Sequence, residues 1–171
     1  MSPGGADVEC WGRWPRSSPA AVVRPAWPDE VELRSPARPV LPRGLGRSYG
    51  DSCLNDGGTL IDLTRVDRIR AFDPTEGIVR ADAGVSLAEI LRLAVPRGWF
   101  LPVCPGTRFV TLGGAVANDV HGKNHHVAGT FGRHVTAFEL LRSDGVTRTC
   151  SADENPALFA ATIGGLGLTG A

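Results

Sequence analysis

The chain has 171 residues, 18 acidic and 18 basic, with 42% hydrophobic residues. That length supports one domain with a real core, and the neutral balance gives no electrostatic footprint for nucleic acid or an anionic membrane. Cys10, Cys53, Cys104 and Cys150 form no CxxC pair, against a zinc ribbon or a thioredoxin-like site.

No apolar run reaches ~18 residues, so no transmembrane segment is expected. Residues 1–15 lack a signal peptide's apolar stretch, which points to a reduced, cytoplasmic protein. The 22 glycines and 13 prolines imply many turns and close backbone approaches.

Residues 1–19 read as an extended lead-in containing Trp11-Gly12-Arg13. Residues 20–171 read as the domain proper. Ala21 to Arg24 suits a short strand. Pro28-Asp29-Glu30 starts a helix, which Pro36 and Pro39 keep brief. Pro39 to Pro42 is a short buried strand.

It feeds the loop Arg43-Gly44-Leu45-Gly46-Arg47-Ser48-Tyr49-Gly50-Asp51-Ser52. The spacing is GxGxxxG, and a polar stretch follows where a Rossmann unit needs an apolar helix, so that fingerprint is rejected. What remains is a glycine-rich loop with two arginines, suited to cradling phosphate oxygens. A tight surface turn has the same composition, and the loop alone leaves both readings open.

Thr59 to Leu63 is a strand. Ile69 to Phe72 and Ile78 to Ala83 pair around the turn at Asp73-Pro74 and Gly77. Ser86 to Val95 is the clearest helix, with a Ser86/Glu89 capping box. Leu87, Ile90, Leu91, Ala94 and Val95 make one apolar face, assigned to core packing. Pro96 and Gly98 end it. Trp99 to Val103 is a strand or extended segment.

The central stretch follows: Pro105-Gly106-Thr107, then Thr111-Leu112-Gly113-Gly114-Ala115-Val116-Ala117-Asn118-Asp119-Val120-His121-Gly122-Lys123-Asn124-His125-His126. Small residues let a backbone approach a ligand closely. A short helix opened by Gly113 would present free N–H groups to a phosphate or pyrophosphate. Beyond it, Val135 to Arg142 and Val146 to Cys150 flank Asp144-Gly145, a hairpin signal. Asn155 caps a helix from Pro156 to Ile163. Gly165, Gly167 and Gly170 spell GxGxxG after a helix rather than a strand, a false Rossmann match. An ending inside this glycine-rich segment suggests a fragment.

His121 and His125 have i, i+4 metal spacing, but Gly122 and Asn124 between them are poor helix residues and no HExxH glutamate is present. No metal is assigned, and His125 and His126 read as loop or hydrogen-bonding residues. His121, directly after the small-residue run, is the better functional candidate. Lys123, in an arginine-dominated chain, is a candidate contact to an anionic substrate. Ser48 has no nucleophile elbow, and Cys104 reads as a packed thiol.

The loop Arg43 to Asp51, Pro105-Gly106-Thr107-Arg108, Gly113-Gly114-Ala115, the run Asp119-Val120-His121-Gly122-Lys123-Asn124-His125-His126, Ala128-Gly129, Phe131-Gly132, the closing Gly-Leu-Thr-Gly and the lead-in Trp11-Gly12-Arg13 together resemble the vanillyl-alcohol-oxidase/p-cresol methylhydroxylase-type flavoproteins. Coverage is nearly the whole chain, and His121-Gly122-Lys123-Asn124-His125-His126 is its most specific part. The resemblance implies an α+β FAD-binding domain of two small α/β subdomains, C-terminally incomplete and lacking the substrate domain.

It implies that the Arg43–Ser52 loop and the Thr111–Gly114 turn wrap the FAD pyrophosphate, with Gly106 and Asn118–His121 along the path to the flavin. His121 and Lys123 would face flavin and substrate. Arg47 stands where many relatives carry a flavin-linked histidine, so the FAD is expected to be non-covalent. The run favours the branch that oxidises a lipid-linked pentose hydroxyl to a ketone for a short-chain reductase partner, with cell-envelope association. An alditol or aldonolactone oxidase and an inactive flavin-binding remnant are the alternatives. The segment between Pro25 and Pro39 is shorter than in the family.

Overall fold

The computed structural model describes residues 8–34 and 38–171. The helix stop expected at Pro36 lies outside them, as does the start of the lead-in.

Three short strands form a parallel sheet: β1 (Ala21–Val23), β2 (Val40–Arg43) and β3 (Thr59–Asp62), with β3 in the middle. Val22 and Leu41 both stand beside Leu60, which is fully buried. A central strand flanked on both edges loses water from its apolar side chains, which is why Leu60 and Ile61 are the deepest residues here. Pro42 fits because β2 is an edge strand, where a missing N–H costs no ladder bond. Between β1 and β2 the expected brief helix is one 3-10 turn, Pro28–Glu30. The Glu30 carboxylate accepts from Ala26 N at 2.7 Å and Trp27 N at 3.2 Å.

β4 (Ile69–Asp73) and β5 (Ile78–Ala81) form the expected antiparallel hairpin. Asp73 Oδ1 accepts from Thr75 N and Glu76 N in the turn, and Gly77 takes φ +68°. Helix α1 (Leu87–Ala94) carries the capping box: Ser86 Oγ accepts from Glu89 N, and the Glu89 carboxylate accepts from Ser86 N. Leu87, Ile90 and Ala94 are buried. Val95, expected on the same face, is 51% exposed, because Pro96 redirects the chain into a 3-10 turn. Trp99 to Val103 lies outside any strand, with a bend at Pro102.

Next come α2 (Leu112–Ala117), α3 (His125–Ala128), the hairpin of β6 (Ala137–Leu141) and β7 (Thr147–Ser151), and α4 (Pro156–Thr162). Asn155 is not the side-chain cap expected for α4. It takes φ +50°, and its amide donates to Thr149 O of β7 at 2.8 Å, tying the helix to the hairpin instead. The Gly165–Gly170 stretch is a loop with no strand before it. The chain there covers the end of α2: Gly164 N and Leu166 N donate to Val116 O and Ala117 O, and Val116 O also accepts from Asp119 N.

Two apolar cores result. Val85, Leu87, Ile90, Val103, Ala115 and Phe131 fill the first, between α1 and α2. Leu33, Ile61, Leu63 and Val66 fill the second, beside the parallel sheet. This mixed helix–strand architecture with small sheets agrees with the expected α+β domain. No helix among the described residues is long and apolar enough to cross a membrane.

Candidate functional site: a glycine loop against a capped helix

Strand β2 delivers the chain at Gly44 directly onto Thr111, the N-cap of α2. A Cβ at Gly44 would collide with Thr111 Oγ1 and lie 3.1 Å from its Cγ2. Arg47 Nε donates to Phe109 O at 3.2 Å, a second tie between the two segments. The fold therefore brings together the two glycine-bearing stretches that the sequence keeps some sixty positions apart.

Among the described residues, no backbone N–H from Gly44 to Ser52 donates to a protein acceptor. Gly46 is nevertheless buried and takes φ +63°, a left-handed conformation suited to glycine. Arg43 Nε is also buried without a partner, while its Nη2 donates to Glu9 O at 2.8 Å. Polar groups removed from water are ordinarily paired. A run of unused donors beside a guanidinium is the chemistry that an anion completes. The N–H groups of Gly106, Thr107 and Arg108 likewise have no acceptor among the described residues. Gly50 and Gly106 face open space, since a Cβ at either meets nothing within 4 Å.

The start of α2 corrects one expectation. Its first N–H groups are not free: Leu112 N donates to Val85 O at 2.7 Å, Gly113 N to Ala83 O at 2.8 Å, and Gly114 N to Thr111 Oγ1 at 3.1 Å. A Cβ at Gly113 would lie 2.9 Å from that of Ala83. Gly113 thus lets α2 dock on the chain after β5, and the available donors sit in the Arg43–Ser52 loop and at Gly106–Arg108.

At its far end α2 is closed by Asn118, whose amide donates to Gly114 O at 2.9 Å. Asp119 reverses the chain at φ +41° and accepts from Gly132 N at 2.8 Å, while Val120 N returns to Ala115 O. His121 then bridges to Thr130. Gly122 packs on Cys104, where a Cβ would lie 2.6 Å from the carbonyl oxygen, and Asn124 Nδ2 donates to Pro102 O at 2.9 Å. These contacts dock the histidine run on the segment leading to Gly106. His121 and Lys123 are exposed, and Lys123 is the chain's single lysine.

His125 and His126 open α3, one helical turn, rather than lying in a loop. His121, His125 and His126 stack edge-on at 5.5 and 5.8 Å between successive ring centres. His125 Nδ1 is 3.0 Å from Gly122 O, so one ring nitrogen donates to the backbone. Among the described residues no group of three or more His, Cys, Asp or Glu is gathered as a metal site. Burial pushes the Cys104 thiol up, which keeps it protonated, as a packed thiol is.

Glu9 to Gly12 of the lead-in pack along the loop, a contact that Trp11-Gly12-Arg13, part of the family resemblance, does not announce.

Residues 19–151 match the FAD binding domain family. The chain belongs to that family. It is 47% identical over 167 residues to a decaprenylphosphoryl-β-D-ribose oxidase of Mycolicibacterium smegmatis, covering 92% of this chain and 36% of that protein. An uncharacterized oxidoreductase of the fasciation locus in Rhodococcoides fascians is 30% identical over 175 residues, 99% of this chain and 39% of that protein. A D-arabinono-1,4-lactone oxidase of Neurospora crassa, so named putatively, is 26% identical over 94% of this chain and 29% of its own length. The chain spans about a third of the length of these relatives.

An FAD-binding domain must neutralise a diphosphate and leave a path for the isoalloxazine. The unused donors of the Arg43–Ser52 loop, the buried Arg43 Nε and the open faces at Gly50 and Gly106 fit such a group.

Proposed function

We propose that residues 20–171 form the FAD-holding part of an oxidoreductase that converts a sugar hydroxyl to a ketone, acting on a lipid-linked pentose. The observation that carries this reading is the row of N–H groups from Gly44 to Ser52 that have no acceptor among the described residues, in a loop that touches Thr111 at Gly44, in a chain 47% identical to a decaprenylphosphoryl-ribose oxidase.

In this reading Gly44, Leu45, Gly46, Arg47, Ser48, Tyr49, Gly50, Asp51 and Ser52 surround the diphosphate. Thr111, Leu112, Gly113 and Gly114 shape the opposite wall, and Gly106 with Asn118, Asp119, Val120 and His121 line the way to the flavin. Bound FAD supplies the acceptor for two electrons and a hydrogen. His121, for which no ring hydrogen bond is found among the described residues, orients the hydroxyl and offers a nitrogen to its proton. Lys123 meets the substrate's anionic part through a mobile ammonium.

Arg47 occupies the position of a flavin-linked histidine and is spent on Phe109 O and the Trp11 ring, so the FAD is held non-covalently. The ketone product calls for a reductase that returns a hydride, which is the chemistry of a short-chain reductase partner. A lipid-linked substrate places that pair at the cell envelope. The higher identity to the ribose oxidase, 47% against 26% for the lactone oxidase, favours this substrate class over free polyols.

The test uses full-length protein. Yellow colour released by acid, with turnover of a polyprenyl-phosphate pentose and none of a free alditol, supports the reading. A colourless protein that takes up no FAD at micromolar concentration overturns it.

A further inference from the structure

The lead-in lies before the residues matched by the family, which begin at residue 19. It nevertheless makes specific contacts with the cofactor loop. Trp11 N donates to Ser48 O at 3.1 Å. Gly12 passes so close to Tyr49 that a Cβ there would lie 2.8 Å from Tyr49 O, and the Cys10 thiol is 3.9 Å from the same oxygen. Arg43 anchors the start of the segment through Glu9 O at 2.8 Å, and the Arg47 guanidinium lies 5.2 Å from the Trp11 ring centre.

The consequence follows from peptide geometry. In a planar trans peptide the carbonyl of one residue and the N–H of the next point in opposite directions. Holding Ser48 O and Tyr49 O against the lead-in therefore aims the N–H groups of Tyr49 and Gly50 away from it. These two donors are among those without an acceptor among the described residues, and Gly50 faces open space. A flip of either plane would present a carbonyl oxygen to an anion and reverse the attraction.

We infer that Cys10–Arg13 is a positioning strap: by holding the Ser48 and Tyr49 carbonyls it keeps the loop's donors aimed at a bound diphosphate. The inference rests on the Arg43–Ser52 loop being the FAD diphosphate site. Trp11 and Gly12 are positioning residues, acting through the loop and not on the ligand.

Three variants of the whole chain test it, with FAD and ADP titrated against each by calorimetry. Trp11→Pro removes the N–H that holds Ser48 O, Trp11→Phe keeps it, and Gly12→Val pushes the strap off Tyr49. A hydrogen bond to a charged group is worth about tenfold or more in affinity, so W11P and G12V are expected to weaken both ligands by about that factor. W11F is expected to stay within about twofold of the parent, since the N–H remains. Amide exchange on the unsubstituted chain gives a readout that needs no variant, with Tyr49 and Gly50 N–H slowing when ADP or FAD is added. Parent-like affinity in W11P and G12V, equal losses in W11F and W11P, or unchanged exchange at Tyr49 and Gly50 would each overturn the strap. If the unsubstituted chain binds neither ligand, the diphosphate assignment itself fails and the strap's role goes with it.

Discussion

Gly44 and Thr111 touch, and the contact leaves no room for a Cβ on Gly44. Thr111 is 3% exposed and its hydroxyl caps α2 through Gly114 N. Gly44→Ala must therefore push out the side chain that starts the helix, or move the loop. The expected cost is about 1–2 kcal/mol, the size of a lost N-cap, with weakened FAD affinity in the same variant. Thr111→Val keeps the shape and removes the acceptor, so it should cost about 1 kcal/mol while leaving Gly44 in place. Urea titrations of both variants, beside FAD titrations, check this.

The Ser86–Glu89 capping box has a pH signature. Backbone and side-chain hydrogen bonds from Ser86 hold the Glu89 carboxyl below its ordinary value of 4.5. A carboxyl lowered on folding stabilises the protein above its unfolded value and loses that contribution as pH falls through the folded one. Ser86→Ala should cost about 1 kcal/mol at pH 7. The gap between variant and parent should shrink as pH falls through the lowered folded value of Glu89, until the carboxyl is protonated in both. Chemical denaturation at two pH values measures it, and a gap that grows in acid contradicts the assignment.

The regular elements were legible because their signals are local. Ser86 and Glu89 mark a helix start, and Asp144-Gly145 marks a hairpin, within four residues each. The Gly44–Thr111 contact and the Trp11–Ser48 bond join distant segments, and a single sequence carries no term for them. The glycine pair at 113–114 shows the ambiguity plainly. Glycine marks close approach without saying to what: Gly113 approaches Ala83, and Gly114 approaches the Thr111 hydroxyl. Asn155 misled for a related reason. Its amide found a carbonyl on β7, and tertiary pairing outweighed its capping preference.

Gly84 sits where the two cores join. A Cβ there would collide with Leu63 O and lie 2.6 Å from Val66 O, and both are backbone atoms. Gly84 N also donates to Val66 O at 2.8 Å. Neither neighbour is a flexible tip, so Gly84→Ala should destabilise by about 1–3 kcal/mol or more through backbone displacement. Gly50→Ala is the control, since a Cβ there meets nothing within 4 Å. Its stability should stay within about 0.5 kcal/mol of the parent, as surface substitutions do.

His121 and Lys123 should separate binding from turnover. Both are exposed and lie beyond the Arg43–Ser52 loop, in a run docked on Pro102 and Cys104 by Asn124 and Gly122. Replacing either side chain leaves those docking contacts intact, so FAD affinity should stay within about twofold of the parent. In full-length protein His121→Ala should lower kcat by about a hundredfold, the scale of a lost acid–base or orienting group. Lys123→Met should mainly raise KM for a phosphate-bearing substrate, because it removes a charge contact present before and during reaction. Asn124→Ala undocks the whole run from Pro102 O and should lower kcat and raise KM together. Steady-state kinetics on flavin-saturated variants distinguish these patterns. Equal losses of FAD in all three would mean that the run holds the cofactor rather than the substrate.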